Sequence, residues 1–325
     1  MEHRRLGACG LKVSEISLGN WATHGAQIDE QASFDVVAEA LECGITSFDT
    51  SDSYADKVGE EILGRALKGQ PRDSLVISTK CFWPTGSGPN ERGLSRKHIM
   101  EACHASLKRL GIDYVDIYYA HRFDPEVPLE ETLRAFNDLV AQGKALYVGV
   151  SEWTAGQIDE ASVICEQSGF SPIVVNQPQY SMLWRVIEND VTSACEKWGM
   201  GQVVWSPLAQ GVLTGKYRPG VKPPVGSRAS NRTGSEYIER WMDDDVLSAV
   251  ARLEPIARSC GMTTAQLALA WVLGRPGVSS AVIGASSPEQ VRSNADASGR
   301  VLTPEVLDSI DKTLASVVTR FRPSR

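Results

Sequence analysis

Leu75-Val76-Ile77-Ser78-Thr79-Lys80, the segment from Ser95 to Leu110 closed by Gly111, and Val115-Asp116-Ile117-Tyr118-Tyr119-Ala120-His121 follow one another as strand, helix and strand. Ser95 ahead of a periodic apolar run and Gly111 behind it are start and stop signals for the helix. Two strands joined through such a helix run parallel with a right-handed crossover.

The same alternation extends in both directions. Strand-like runs occupy 16–18, 45–48, 75–79, 115–119, 145–150, 173–177, 202–205 and 279–283, eight in all. Helix-like segments lie at 29–43, 58–67, 95–110, 129–141, 154–167, 188–198, 245–259 with 263–274, and 288–296. Pro128 opens one helix that Gly143 closes, and Pro288 sits in the first turn of another. Eight βα units favour closure over a doubly wound open sheet, so the expected fold is α/β, a (β/α)8 TIM barrel forming one domain over 1–325. The long connection from Ser206 to about Glu236, rich in Gly, Pro, Ser and Arg, follows the seventh strand, and loops of that length are usually functional or disordered.

Bulk properties exclude more than they select. A hydrophobic content of 42% suits a sizeable globular core. A formal charge of −7 argues against a nucleic-acid surface or an anionic membrane patch, and a negatively charged ligand would need local positive charge. No run approaches the ~20 apolar residues that span a bilayer, and the start carries no signal core, which points to the cytoplasm. Cys9, Cys43, Cys81, Cys103, Cys165, Cys195 and Cys260 contain no Cys-x-x-Cys pair, so no metal site is expected and the thiols read as reduced.

Asp49, Lys80 and His121 each close a strand-like run, and Tyr54 lies in the loop that Asp49 begins. Each alone has a plain explanation: a turn residue for Asp49, packing for Tyr54, a snorkelling stem for Lys80, a structural role for His121. A barrel gathers strand C-termini, and there the four types suit proton transfer to a carbonyl. Tyrosine, with an ordinary pKa of about 10, needs a nearby cation to become a useful acid, and Lys80, held by Asp49, could be that cation. His121 could donate a hydrogen bond to the substrate oxygen, while the set lacks a nucleophile, so a bound reductant would carry most of the chemistry.

Phe48-Asp49-Thr50-Ser51-Asp52-Ser53-Tyr54, Ser78-Thr79-Lys80 and Tyr119-Ala120-His121-Arg122 resemble the tetrad segments of the aldo-keto reductases. The resemblance runs from about Arg5 to the C-terminal helix. Gly93-Leu94-Ser95-Arg96-Lys97-His98-Ile99 and Trp205-Ser206-Pro207-Leu208-Ala209 bring it closest to the branch of voltage-gated potassium channel β subunits and their bacterial reductase relatives. It implies a (β/α)8 barrel, NADP(H) as cofactor, and reduction of an aldehyde or ketone with Tyr54 as proton donor, Lys80 and Asp49 tuning it, and His121 orienting the carbonyl.

The resemblance also implies cofactor contacts. Asn20, Trp21 and Gln27 follow the first strand, Asp49 lies at the nicotinamide, Ser151 and Gln177 meet its amide, and Trp205 stacks on its ring. Ser206, Pro207, Leu208, Ala209, Gln210 and Lys216 would fold over the pyrophosphate, with Arg228 at the adenosine end. Gly284, Ser286, Gln290 and Asn294 would hold the 2′-phosphate and adenine. Gln290 stands where many aldo-keto reductases have arginine and Ser293 replaces a common glutamate, so the match favours nicotinamide cofactors more firmly than NADP over NAD.

A carbonyl substrate would meet Trp21, Tyr54, Trp83 and His121, with Phe82 and Trp153 as further aromatic walls. The spacing of Gly211-Val212-Leu213-Thr214-Gly215-Lys216 is wrong for a Walker A loop, and no Gly-x-Gly-x-x-Gly supports a Rossmann domain. A narrower expectation is a keto-sugar reductase acting on a nucleotide-linked deoxysugar. An expectation of another class is an NADPH-sensing regulatory subunit, against which His121, asparagine in the channel subunits, and the short N-terminus weigh. Glu152, arginine in those subunits, is a further departure. Assembly into a homo-oligomer is left open.

Overall fold

The computed structural model describes residues 1–230 and 235–321, so residues 231–234 of the predicted loop and the last four of the chain lie outside the described ones. A short antiparallel hairpin, β1 (His3–Arg5) and β2 (Lys12–Ser14), precedes the barrel. The barrel strands are β3 (Ile16–Gly19), β4 (Ser47–Asp49), β5 (Val76–Cys81), β6 (Val115–Ala120), β7 (Ala145–Ser151), β8 (Ile173–Gln177), β9 (Gly201–Trp205) and β10 (Val278–Ile283). They close in the order β10-β3-β4-β5-β6-β7-β8-β9, with every neighbouring pair parallel. The expected (β/α)8 barrel is the observed one.

The returning helices are α1 (Glu30–Glu42), α2 (Val58–Ala66), α3 (Arg96–Leu110), α4 (Leu129–Ala141), α5 (Ala155–Ser168) and α6 (Val191–Lys197). After β9 come α7 (Ser235–Ile238), α8 (Asp244–Ala251), α9 (Leu253–Ser259) and α10 (Thr264–Leu273), and after β10 come α11 (Pro288–Ala295) and α12 (Pro304–Leu314). Local chemistry sets their ends. Asp29, Ser95, Thr154 and Thr263 cap α1, α3, α5 and α10 through their side-chain oxygens, each typically contributing about 1 kcal/mol.

Several boundaries differ from the sequence reading, each for a local reason. The helix expected over 245–259 is two helices, because Pro255 has no N–H to donate and its ring opposes the carbonyl four residues earlier, Ala251. The helix expected at 188 begins at Val191, after a separate 3-10 turn over Val186–Glu188. Ile45 donates its N–H to Ala40 and so ends the α1 turn, which moves the start of β4 to Ser47. Lys80 lies inside β5, opposite Tyr119, instead of after its end.

The core has two parts. Apolar side chains on the outward strand faces pack with the helices, while Leu6, Val13, Ile117, Tyr119, Val174, Val175 and Val203 form a smaller cluster. Leu6 and Val13 belong to the hairpin, and Ser279 near the start of β10 donates its hydroxyl to Arg5 O, so the hairpin plugs the N-terminal end of the barrel. Above this plug the strand register places Tyr119 opposite Gly149, where an added Cβ would come within 2.4 Å of the tyrosine ring. Glycine there lets the ring fill the interior. Polar side chains then occupy the C-terminal end, which is where the loops converge.

Candidate active site

Strand periodicity brings the first pair together. Asp49 is the last residue of β4 and pairs in register with Ser78, and Lys80 lies two residues further along β5 on the same face. Lys80 Nζ donates to Asp49 Oδ2 at 2.5 Å and Oδ1 at 2.8 Å, and to Thr50 O at 2.7 Å. Ser78 Oγ and Gln177 Nε2 also donate to Asp49 Oδ1, at 2.9 and 2.8 Å. Lys80 is fully buried; burial pulls its ammonium below the ordinary value and the Asp49 carboxylate works against that pull. A charge pair this deep persists because the ammonium donates to three oxygens and both carboxylate oxygens accept.

Tyr54 opens a 3-10 turn in which Ala55, Asp56 and Lys57 all have left-handed φ, of 48°, 51° and 79°. Each such non-glycine residue costs about 1–2 kcal/mol, and such strain persists only where surrounding contacts over-determine it. Gly59 supplies part of that constraint. A Cβ at Gly59 would sit 3.1 Å from Tyr54 O and 3.3 Å from Asn20 Nδ2, and Asn20 Nδ2 donates to Gly59 O at 2.8 Å. Glycine at this position therefore lets the Tyr54 backbone and the Asn20 amide converge on the first turn of α2.

The Tyr54 ring lies 5.1 Å from Lys80 Nζ and 5.8 Å from the His121 ring, centroid to atom and centroid to centroid. Burial and the nearby Asp49 carboxylate push its phenol well above the ordinary value. Tyr54 therefore holds its proton at neutral pH. His121 is pushed well below the ordinary imidazole value by burial, Lys80 and Arg122, so its ring is neutral at pH 7. His121 Nδ1 lies 3.2 Å from Ser51 Oγ, and the tautomer in which Ser51 donates to Nδ1 carries its proton on Nε2. Ser51 was not singled out in the sequence, because only the fold brings it to the histidine.

The other expected residues group around this centre. Ser151 Oγ donates to Gln177 O at 2.8 Å, so the ends of β7 and β8 are tied beneath the tetrad. Trp205 packs edge-on against Trp21 at 6.4 Å, and its Nε1 donates to Glu152 Oε1 at 3.2 Å. Glu152 also accepts the Gln179 N–H at 2.6 Å and has a left-handed φ of 59°, so this residue steers the Trp205 ring. Gln27 Nε2 reaches Gly226 O at 3.2 Å, linking the loop after β3 to the long loop after β9. In that long loop Ser206, Ala209 and Gln210 have left-handed φ, Gln210 Nε2 donates to Ser206 Oγ at 2.5 Å, and Arg228 donates to Gln210. Lys216 Nζ lies 5.3 Å from the Tyr217 ring.

At the far end, Ser286 donates its N–H to Gln290 Oε1 at 3.0 Å, and Asn294 is buried. Trp83 is 40% exposed beside His121, with Phe82 packed edge-on against it. Trp153 is not a wall. It is buried against Phe123 at 5.1 Å, since the chain turns at Glu152 and sends it into the core.

Asp52, buried next to the tetrad, is pushed up to about 7 by burial and by Glu60. A carboxyl raised from 3.8 to about 7 binds more protons folded than unfolded, so its contribution falls as pH rises through that window. Full ionisation costs on the order of 4 kcal/mol. Asp52→Asn should therefore raise stability at pH 8 and change it little at pH 4, measured by urea unfolding; an equal effect at both pH values contradicts the assignment.

Fold and site together define a barrel whose strand C-termini hold a protonated tyrosine, a neutral histidine and a buried lysine–aspartate pair. A sequence model described as the Aldo/keto reductase family matches residues 15–315, and the chain belongs to that family. It is 43% identical over 321 residues to a "Probable voltage-gated potassium channel subunit beta" of Arabidopsis thaliana, covering 97% of each chain. It is 41% identical over 330 residues to a protein of the same name from Oryza sativa subsp. japonica, covering 100% of both.

Proposed function

We propose that this protein reduces an aldehyde or ketone to an alcohol with NADPH, Tyr54 giving the proton to the carbonyl oxygen. The observation that carries the reading is the convergence of Tyr54 and His121 on the Lys80–Asp49 pair, in a chain of this family. When bound, the cofactor supplies the hydride that the side chains lack.

The residues present fit such a group. Asn20 Oδ1, Thr23 Oγ1 and Ser227 Oγ, on the loops after β3 and β9, are buried with no hydrogen-bond partner among the described residues. The left-handed residues of 206–211 with Lys216 and Arg228 suit a diphosphate, and Ser286 and Gln290 ahead of and within α11 suit a further phosphate. Trp205, Ser151 and Gln177 would take the nicotinamide end.

His121 Nε2–H then donates to the carbonyl oxygen as negative charge develops, and Tyr54 delivers its proton there. The tyrosinate that forms faces the Lys80 ammonium, so Lys80 acts on the product of proton transfer more than on the resting acid. A panel of aldehydes and ketones incubated with NADPH should include several that consume it well above the protein-free rate. None doing so removes the reading. Nucleotide-linked keto-sugars in the panel test the narrower substrate: no turnover of them beside rapid reduction of simple aldehydes excludes it.

The relatives' names, as channel subunits, favour a second reading, a subunit of a larger assembly; in this reading NADPH occupancy regulates the partner and turnover is incidental. Tight NADPH retention, a stable protein partner and negligible turnover would select it. No helix among the described residues is long and apolar enough to cross a membrane.

A further inference from the structure

Ser51 Oγ stands between two titratable side chains. It lies 3.2 Å from His121 Nδ1 on one side and 3.2 Å from Asp52 Oδ1 on the other, so Asp52, Ser51 and His121 form one hydrogen-bonded chain. All three are buried, Ser51 and Asp52 completely. The hydroxyl also has Ser53 Oγ at 3.2 Å and Lys80 O at 3.5 Å as neighbours, but it has a single proton to give.

The groups packed round Asp52 leave this chain as its outlet. Glu60 of α2 is already held by Thr79 Oγ1 and by Arg109 Nε of α3, and Lys80 of β5 is held by Asp49 and Thr50 O. Cys81 of β5, Tyr118 of β6 and Tyr54 of its own loop are the other ionisable groups whose charge it meets. Asp52 Oδ2 has no hydrogen-bond partner among the described residues, so the carboxyl group acts on its surroundings through Oδ1 and Ser51. Burial and Glu60 bring it up to about 7, while burial, Lys80 and Arg122 keep the His121 ring neutral.

Two arrangements of protons satisfy the chain. With Asp52 ionised, the carboxylate takes the Ser51 hydroxyl proton, Ser51 Oγ accepts from His121 Nδ1–H, and Nε2 is a bare acceptor. With Asp52 neutral, its proton finds an acceptor from Oδ1, in Ser51 Oγ; Ser51 then donates to Nδ1, and the ring carries its proton on Nε2. Passing from the first to the second takes one proton from solvent onto Nε2, moves the Nδ1 proton to Ser51 Oγ, and moves the Ser51 proton to Asp52 Oδ1. The imidazole is neutral before and after.

We propose that Asp52 and Ser51 are positioning residues that set the tautomer of His121, the neutral carboxyl giving the Nε2–H form that binds a carbonyl oxygen and the carboxylate giving the form that repels it. The consequence for turnover rests on the reductase reading above, whereas the tautomer change does not. A carbonyl selects the form with neutral Asp52, so above pH 7 its binding takes up a proton. The pH dependence therefore falls on KM, and kcat, which reports the bound complex, stays flat through neutral pH.

The test has two parts. Wild type, Asp52→Asn and Ser51→Ala are assayed with saturating NADPH and an aldehyde between pH 6 and pH 8.5. Wild-type KM should rise by about 10-fold over that range, the worth of one buried hydrogen bond exchanged for a bare acceptor, at nearly constant kcat. In both variants KM should be independent of pH, because one lacks the titrating group and the other the link. The second part reads the ring itself, by nitrogen NMR of wild type and Asp52→Asn labelled with 15N-histidine, without substrate, the His121 signals being assigned by their loss in His121→Gln. The protonated nitrogen in wild type should change from Nε2 at pH 6 to Nδ1 at pH 8.5, with no change in Asp52→Asn. One tautomer throughout in wild type, or a switch that persists in Asp52→Asn, overturns the proposal even where a variant folds poorly. A switch in a protein that reduces no carbonyl keeps the relay and removes the reductase; reduction with a fixed tautomer and a pH-independent KM does the reverse.

Discussion

Tyr54→Phe is expected to lower kcat for carbonyl reduction by about 10²–10⁴-fold, the usual worth of a positioned general acid, while leaving NADPH affinity within a few-fold. The change removes one oxygen and keeps the ring. The packing against His121 and the contact with Gly59 survive, so the strained turn through Ala55, Asp56 and Lys57 should hold its shape. Since burial and Asp49 raise the phenol well above its ordinary value, the wild-type acid stays protonated through neutral pH. Wild-type kcat should accordingly be flat across that range and fall only in alkali. Steady-state rates against pH for both proteins check the pair of statements; an unchanged Tyr54→Phe rate removes Tyr54 as the donor.

Lys80→Met should affect stability as well as turnover. It strands the Asp49 carboxylate in the barrel with Ser78 and Gln177 as its remaining donors among the described residues. Removing one partner of a buried pair typically costs about 3–5 kcal/mol, much of it the cost of the unpaired charge that remains. Replacing both partners should cost far less than the sum. The double variant Asp49→Asn with Lys80→Met is therefore expected to unfold at higher urea than Lys80→Met alone. Both variants should reduce carbonyls poorly, because the developing tyrosinate loses its cation. A single variant as stable as wild type would mean that the pair is not the buried, solvent-excluded contact described above.

Much of this architecture was readable from the sequence because the barrel strands are β-branched runs punctuated by polar loops. Asp49 at the end of β4, Lys80 one residue short of the end of β5 and His121 just after β6 then fall together by topology alone. The N-terminal hairpin was not readable: its strands are three residues each, and His3-Arg4-Arg5 has no apolar alternation. What escaped in the site depends on approach between distant segments. Ser51 reaches His121, Gly59 accommodates both Tyr54 and Asn20, and Glu152 bridges Gln179 and Trp205, none of which has a local pattern. Trp153 shows the converse. As one of the aromatic residues it was expected to be a pocket wall, yet the left-handed turn at Glu152 buries it.

The placement of Tyr54 and His121 matters only if the hydride goes to the carbonyl carbon beside them. The direct measurement uses NADPH carrying deuterium at both positions of the reactive nicotinamide carbon, with a good aldehyde substrate, followed by mass spectrometry of the alcohol. Direct transfer leaves one deuterium on the carbinol carbon and a proton on the oxygen. Unlabelled alcohol, or NADPH that stays bound and unoxidised with every carbonyl tried, would contradict it.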